Sequence, residues 1–180
     1  MSKQIKLHLG CGGKNIDGFI NIDVRQIPGV DYIDDIKSLS KFKNNSIDLI
    51  YASHVLEHFG RNEYKNVLNR WYELLKPGGT LRLAVPDIEK VVMYYDQFKD
   101  LKKLRGFLWG GQNYPNNYHY MGWDLITLKE DLTEIGFKHI IRYDWKATEH
   151  YHIDDFSQSY LPHMDKENGM LMSLNVEAIK

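Results

Sequence analysis

An apolar run ends in glycines at LHLGCGG, residues 7–13, and the next apolar run closes on an acid, Asp23. Gly10 and Gly12 carry no Cβ, so their peptide groups can approach a ligand closely and adopt positive φ. An ionised carboxylate only accepts hydrogen bonds, so Asp23 at a strand end suits the two hydroxyls of a ribose. The dinucleotide fingerprint fits poorly: its third glycine is Asn15, the interval leaves no room for a helix, and the acid comes early. A pyrophosphate without that helix loses its N-terminal stabilisation, which disfavours NAD and FAD. An adenosine ligand without phosphates has no such need.

Histidines supply the second set of reactive groups. In HVLEH (54–58), two histidines stand at i and i+4 with a glutamate between them, the pattern of inverted zinc proteases. The run follows a strand directly, so His54 is expected at a strand-to-helix corner, and no downstream ligand helix is evident. In EHYHIDD (149–155), His150, His152 and Asp154 would share a side if extended, but a polar loop is the expected form. No metal is expected at either place. His119 lies in an aperiodic stretch, residues 106–123, rich in Gly, Asn and aromatics. A neutral imidazole there could take a proton from a substrate hydroxyl near pH 7. Aromatic faces suit sugar rings or a cationic ligand, and a packed cap or a homodimer contact is the competing use of the stretch.

These groups need a scaffold. Residues 5–9, 19–24, 31–33 and 47–52 read as strands. Tyr64, Val67, Leu68, Trp71, Leu74 and Leu75 form one helical stripe that stops at KPGG, and residues 80–85 are a fifth strand. Asp87 caps a helix carrying Val91, Val92, Tyr95, Phe98 and Leu101. Thr127 and Glu130 have capping-box spacing, before a short helix ending at Gly136. KHIIRYDW and SLNVEAIK close the chain as an antiparallel pair. Strands alternating with helices predict a mainly parallel sheet with helices on both faces. Ligands then sit beyond the carboxyl ends of the strands, where Gly10, Asp23, Asp35, Ser53 and His54 all fall.

The 180 residues, 43% apolar and 13% aromatic, suffice for one core, and a single domain over 1–180 is expected. A net charge of −1 gives no field to recruit nucleic acid. Lys99, Lys102, Lys103 and Arg105 read as a solvated helix face. Cys11 is the one cysteine, so there is neither an internal disulfide nor a cysteine zinc site. Met-Ser-Lys-Gln runs straight into strand-like sequence and no apolar run approaches a membrane span, so a cytoplasmic protein is expected.

Taken together, LHLGCGG, INIDV, DDI, NNSIDLIYASHVLEHF, ELLKPGGTLRLAVPD and TLKEDLTEIGF resemble the class I S-adenosylmethionine-dependent methyltransferases. The likeness covers roughly residues 5–141, and is greatest to a compact branch associated with surface-glycan biosynthesis. It implies a Rossmann-like α/β/α fold with seven strands, the last hairpin antiparallel and the first crossover helix shortened or absent. It also implies S-adenosylmethionine as cofactor. Leu9, Gly10, Cys11 and Gly12 would face its methionine part, Asp23 its ribose, Asp35 and the Ile36 backbone its adenine, and Ser53 and His54 its sulfonium. The implied reaction is methyl transfer to an O or N nucleophile of a small or glycan-linked substrate. His119 and His54 are the base candidates, and residues 106–123 are a substrate cap. Two departures from the family stand out: His8 replaces the acid before the first glycine, and Lys14 the third glycine. They favour, as the alternative, a module that binds the cofactor without turning it over.

Overall fold

The computed structural model describes residues 4–180; Met1, Ser2 and Lys3, part of the opening read as free of a leader, lie outside the described residues. Seven strands form one sheet in the order β3-β2-β1-β4-β5-β9-β6. They are β1 (Lys6–Leu9), β2 (Ile20–Asp23), β3 (Tyr32–Ile33), β4 (Ile47–Ser53), β5 (Leu75–Pro86), β6 (Lys138–Arg142) and β9 (Ser173–Ile179). Strands β1 to β5 pair in parallel, and β9 runs antiparallel between β5 and β6. A separate hairpin joins β7 (Tyr160–Leu161) and β8 (Met170–Leu171). This is the expected architecture, with the terminal antiparallel pair in place.

Alternation along the strands divides the sheet into two unlike faces. Leu7, Leu9, Ile50, Leu81, Leu83, Leu174 and Val176 face the main core, against Val67, Leu68, Trp71 and Leu74 of α1 (Tyr64–Leu74) and Leu128 and Leu132 of α4 (Leu125–Ile135). The other face carries His8, Tyr51 and Arg82. It is covered largely by the irregular segment after β6. His150 packs against Tyr51 at 4.3 Å between ring centroids, and Asp155 accepts from the Tyr51 hydroxyl at 2.5 Å. Arg82 is held by Glu177 at 2.6 Å and Glu149 at 2.7 Å.

No helix joins β1 to β2. Instead Ile16 and Phe19 pack with Tyr51 in a small cluster that Ile153 partly covers. Asn21 organises the short crossover. Its Oδ1 accepts from the Ile16 N–H at 2.9 Å, and its Nδ2 donates to the Ile16 and Phe19 carbonyls. The same Oδ1 lies 3.1 Å from His8 Nδ1. A side chain thus supplies the hydrogen bonds that a crossover helix would have made internally.

Elsewhere the elements differ from the sequence expectation. The helix after Asp87 is two helices, α2 (Ile88–Phe98) and α3 (Leu101–Trp109), because Lys99 turns left-handed at φ 51° and Asp100 caps the second. Of the expected stripe, Val91 is buried, but Val92, Tyr95, Phe98 and Leu101 are exposed, and Tyr94 and Leu104 make the contact instead. The first residues of the 106–123 stretch therefore belong to α3. Strand β5 begins at Leu75 rather than Thr80, running through KPGG. At α4 the cap is Asp124, with Thr127 as its capping-box partner, not Thr127 with Glu130. Among the described residues no helix is long and apolar enough to cross a membrane.

Candidate active site

The carboxyl ends of β1 and β4 open on a cleft of about 910 Å³. Gly10, Cys11, Gly12, Ser53, His54 and His119 all line it, so six of the ten residues singled out from sequence converge here. Gly10 sits at φ 62°, and a Cβ built on it would lie 2.6 Å from Val55 Cγ2, so no other residue fits without displacement. The Cys11 N–H donates to the Ile22 carbonyl at 3.1 Å, tying the turn to β2. Burial pushes the Cys11 thiol up. Leu9 is fully buried in the core behind the turn.

Asp23 stands just behind the cleft, and its carboxylate is already engaged. It accepts from the Gly12 N–H at 2.9 Å and the Arg25 N–H at 2.9 Å, and from Arg25 Nε and Nη2 at 3.0 and 3.2 Å. Burial alone would raise this carboxyl, but the hydrogen bonds from Arg25 and Gly12 outweigh it and hold Asp23 below the usual carboxylate range. The Arg25 guanidinium also lies over the Tyr114 ring at 4.7 Å, linking the strand end to the aromatic stretch. Asp35 and Ile36 lie outside the cleft. Asp35 accepts the Lys37 N–H in an exposed turn, and the Ile36 carbonyl accepts from Trp71 Nε1 at 2.8 Å.

After β4 the chain turns sharply at His54, whose φ of 52° is a left-handed conformation uncommon among residues other than glycine. The corner leads into a short 3₁₀ turn, Leu56–His58, rather than the start of a helix. His54 directs Nε2 to Ser173 Oγ at 3.2 Å and Nδ1 to Glu57 Oε1 at 3.3 Å. Burial lowers its pKa to about 3, with the neighbouring His119 and His58 acting in the same direction.

Sequence reasoning names Glu57 only as part of HVLEH, yet behind the cleft wall it meets His54, His119, Tyr120 and Met121. It is fully buried, and neither carboxyl oxygen has a hydrogen-bond partner, although His54 Nδ1 lies 3.3 Å from Oε1. Burial raises Glu57 to about 8. The Glu57 carbonyl accepts from the Tyr120 and Met121 N–H groups at 2.8 and 3.3 Å, and this fastens the aromatic stretch over the turn. That register brings His119 Nε2 to 3.8 Å from Glu57 Oε1. His119 Nδ1 lies 2.9 Å from the Phe107 carbonyl, and His58 Nδ1 lies 3.0 Å from the Tyr118 carbonyl. A carbonyl can only accept, so both rings carry their proton on Nδ1 and keep a lone pair on Nε2. Burial lowers the pKa of both. Meanwhile the 149–155 segment is a turn rather than extended: His150 is buried against Tyr51, while His152 and Asp154 are exposed.

Residues 7–83 match the methyltransferase domain family. The fold is similar to an S-adenosylmethionine-dependent methyltransferase from Archaeoglobus fulgidus, with TM-score 0.59 and 15% identity over 98% of this chain and 86% of that one. It is also similar to one from Mesorhizobium loti, at 0.56 and 14% over 99% and 92%. A third is the Burkholderia thailandensis 1,6-didemethyltoxoflavin-N1-methyltransferase, which has bound S-adenosylhomocysteine, at 0.58 and 13% over 99% and 72%. No curated protein sequence matches the chain. At these identities the structures establish the fold, and the domain match covers the strands that build the cleft. Together they support an enzyme that uses S-adenosylmethionine for methyl transfer.

Proposed function

We propose that the chain methylates an oxygen or nitrogen of a small or glycan-linked acceptor, with donor and acceptor meeting in the cleft between the glycine turn and His119. The observation that carries the reading is the convergence on one cleft of Gly10, Gly12, Ser53 and His54 with His119. When bound, S-adenosylmethionine supplies an electrophilic methyl whose in-line displacement leaves the carbon–sulfur electron pair on sulfur. In this reading Leu9, Gly10, Cys11 and Gly12 present backbone to the methionine end, which the absence of a Cβ at Gly10 allows. Ser53, whose buried Oγ lacks a partner, and His54 flank the sulfonium end. Asp23 takes the ribose hydroxyls by exchanging its bonds with Arg25. Asp35 and the Ile36 backbone take the adenine. They follow Asp23 along the carboxyl ends, where the Asp34 N–H donates to the Asp23 carbonyl at 3.2 Å. Residues 106–123, the first four of them in α3, act as the acceptor cap.

For a hydroxyl acceptor, the O–H proton moves to His119 Nε2 as the oxygen–carbon bond forms. His119 suits this role because its lone pair is held on Nε2 by the Phe107 carbonyl. His54, with its two nitrogens turned to Ser173 and Glu57, is a positioning residue. The alternative, a module that binds the cofactor without turnover, draws on one observation, the Asp23–Arg25 pair that already satisfies the ribose-binding carboxylate. The two readings separate when S-adenosylhomocysteine formation is followed with panels of sugar, polyol and amine acceptors. Turnover with one class establishes the enzyme and its substrate chemistry. Tight binding of S-adenosylhomocysteine with no turnover on any panel member would leave the module.

A further inference from the structure

We propose that Glu57, His58 and His119 form a binding site for one divalent transition-metal ion at the wall of the cleft. One candidate ligand atom from each of the three lies within 4.8 Å of the other two. His58 and His119 line the cleft and their rings meet edge-on at 4.9 Å, while Glu57 stands behind them, fully buried. A carboxyl group removed from water and left without a hydrogen-bond partner is costly, and a cation is one of the few partners that would compensate its ionised form. Glu57 has no such donor on either oxygen.

The rings are prepared in the way metal-ligating histidines are. Each donates Nδ1–H to a backbone carbonyl, Phe107 for His119 and Tyr118 for His58, so each Nε2 lone pair is fixed in orientation and available. Metal–ligand bonds of about 2.0–2.2 Å put neighbouring ligand atoms roughly 3–3.5 Å apart, so side-chain shifts of about an ångström close the shell. Two imidazoles and one carboxylate suit zinc, manganese or iron(II), and are a poor set for magnesium or calcium. The remaining coordination positions point into the cleft, toward an acceptor oxygen. This last role rests on the methyl-transfer reading above; the binding of the ion does not. With an ion in place the His119 lone pair would be committed to it, and the ion would instead acidify the acceptor hydroxyl, whose proton would leave to water in the cleft.

The test is calorimetric titration of the untagged full chain with Zn²⁺, Mn²⁺ and Mg²⁺, with metal content after dialysis and the Co²⁺ absorption spectrum as independent readouts. One equivalent of Zn²⁺ is expected, bound more tightly than Mn²⁺ and much more tightly than Mg²⁺. Glu57→Gln and His119→Gln should each weaken Zn²⁺ at least tenfold, and exposed His152→Gln should not. If circular dichroism shows Glu57→Gln to be unfolded, His58→Gln carries the same comparison. Absence of stoichiometric Zn²⁺, or unchanged affinity in the folded variants, overturns the proposal. A parallel S-adenosylhomocysteine titration separates the two readings. Cofactor binding without zinc binding removes only the metal site, and zinc binding without cofactor binding removes only the methyl-transfer reading.

Discussion

Arg25 grips Asp23 through two guanidinium nitrogens, Nε at 3.0 Å and Nη2 at 3.2 Å, on the carboxylate that also receives the Gly12 N–H. One acid therefore pins the glycine turn, pairs with a cation and, in the reading proposed here, meets a ribose. These demands compete. Asp23→Ala should weaken S-adenosylhomocysteine by about 10- to 100-fold, the worth of hydrogen bonds to a charged group. Arg25→Ala should leave affinity unchanged or improve it, because it frees the carboxylate. Calorimetry on both variants checks this, and equal losses in both would mean that the ion pair itself is the ligand platform.

Gly10 is held by conformation and by space. Gly10→Ala should destabilise the chain by about 2–4 kcal/mol, combining left-handed strain with the collision against Val55. Gly12→Ala has the same sign of φ but no contact closer than 3.8 Å, so about 1–2 kcal/mol is expected. Denaturant unfolding with unchanged m-values gives both numbers. Equal losses would remove the Val55 argument.

The two histidine candidates should part company in kinetics. His119→Gln removes the Nε2 lone pair, and should cut kcat on a hydroxyl acceptor by about 100-fold or more, with cofactor affinity unchanged. His54→Gln should act more weakly and through stability, since glutamine must adopt φ 52° at a buried corner. A larger kcat loss from His54→Gln would reverse the assignment.

Acid should destabilise the chain through its buried neutral histidines. Burial, aided by the Arg82 charge, lowers His150 from 6.5 to about 4. Between those values the unfolded chain binds a proton that the folded chain refuses, so stability rises with pH and is lost as pH falls from about 6.5 toward 4. His8 shifts in the same direction, also through burial. Unfolding free energies measured across this window should have a shallower pH slope in His150→Phe, which keeps a ring against Tyr51 and Phe19. An unchanged slope would remove His150 from the account.

Local signals revealed the sheet, the helix α1 and the glycine turn. The apolar period of α1 and the glycine run of the turn are written within a few residues. Apolar side chains occur on both sides of α2, so periodicity alone cannot choose between Val91–Tyr94 and Val92–Tyr95 as its buried face. At α4 two cap patterns overlap, Asp124 with Thr127 and Thr127 with Glu130, and the better acceptor starts the helix. Asn21 looked like an ordinary strand residue. Its role exists only because the crossover folds back on it. Glu57 was hidden for a related reason: what isolates it is burial beneath residues far along the chain, His119 to Met121, and no spacing rule reports that. The acid between two histidines in HVLEH is the signal that the sequence carries, and its spacing pairs the histidines without marking the acid as buried.

The most direct test of the central claim is calorimetric titration of the purified chain with S-adenosylhomocysteine, using NADH as the counter-ligand. The account predicts one equivalent of S-adenosylhomocysteine bound in the micromolar range and no heat from NADH, since the glycine turn lacks the helix a pyrophosphate needs. Binding of NADH with none of S-adenosylhomocysteine would contradict it.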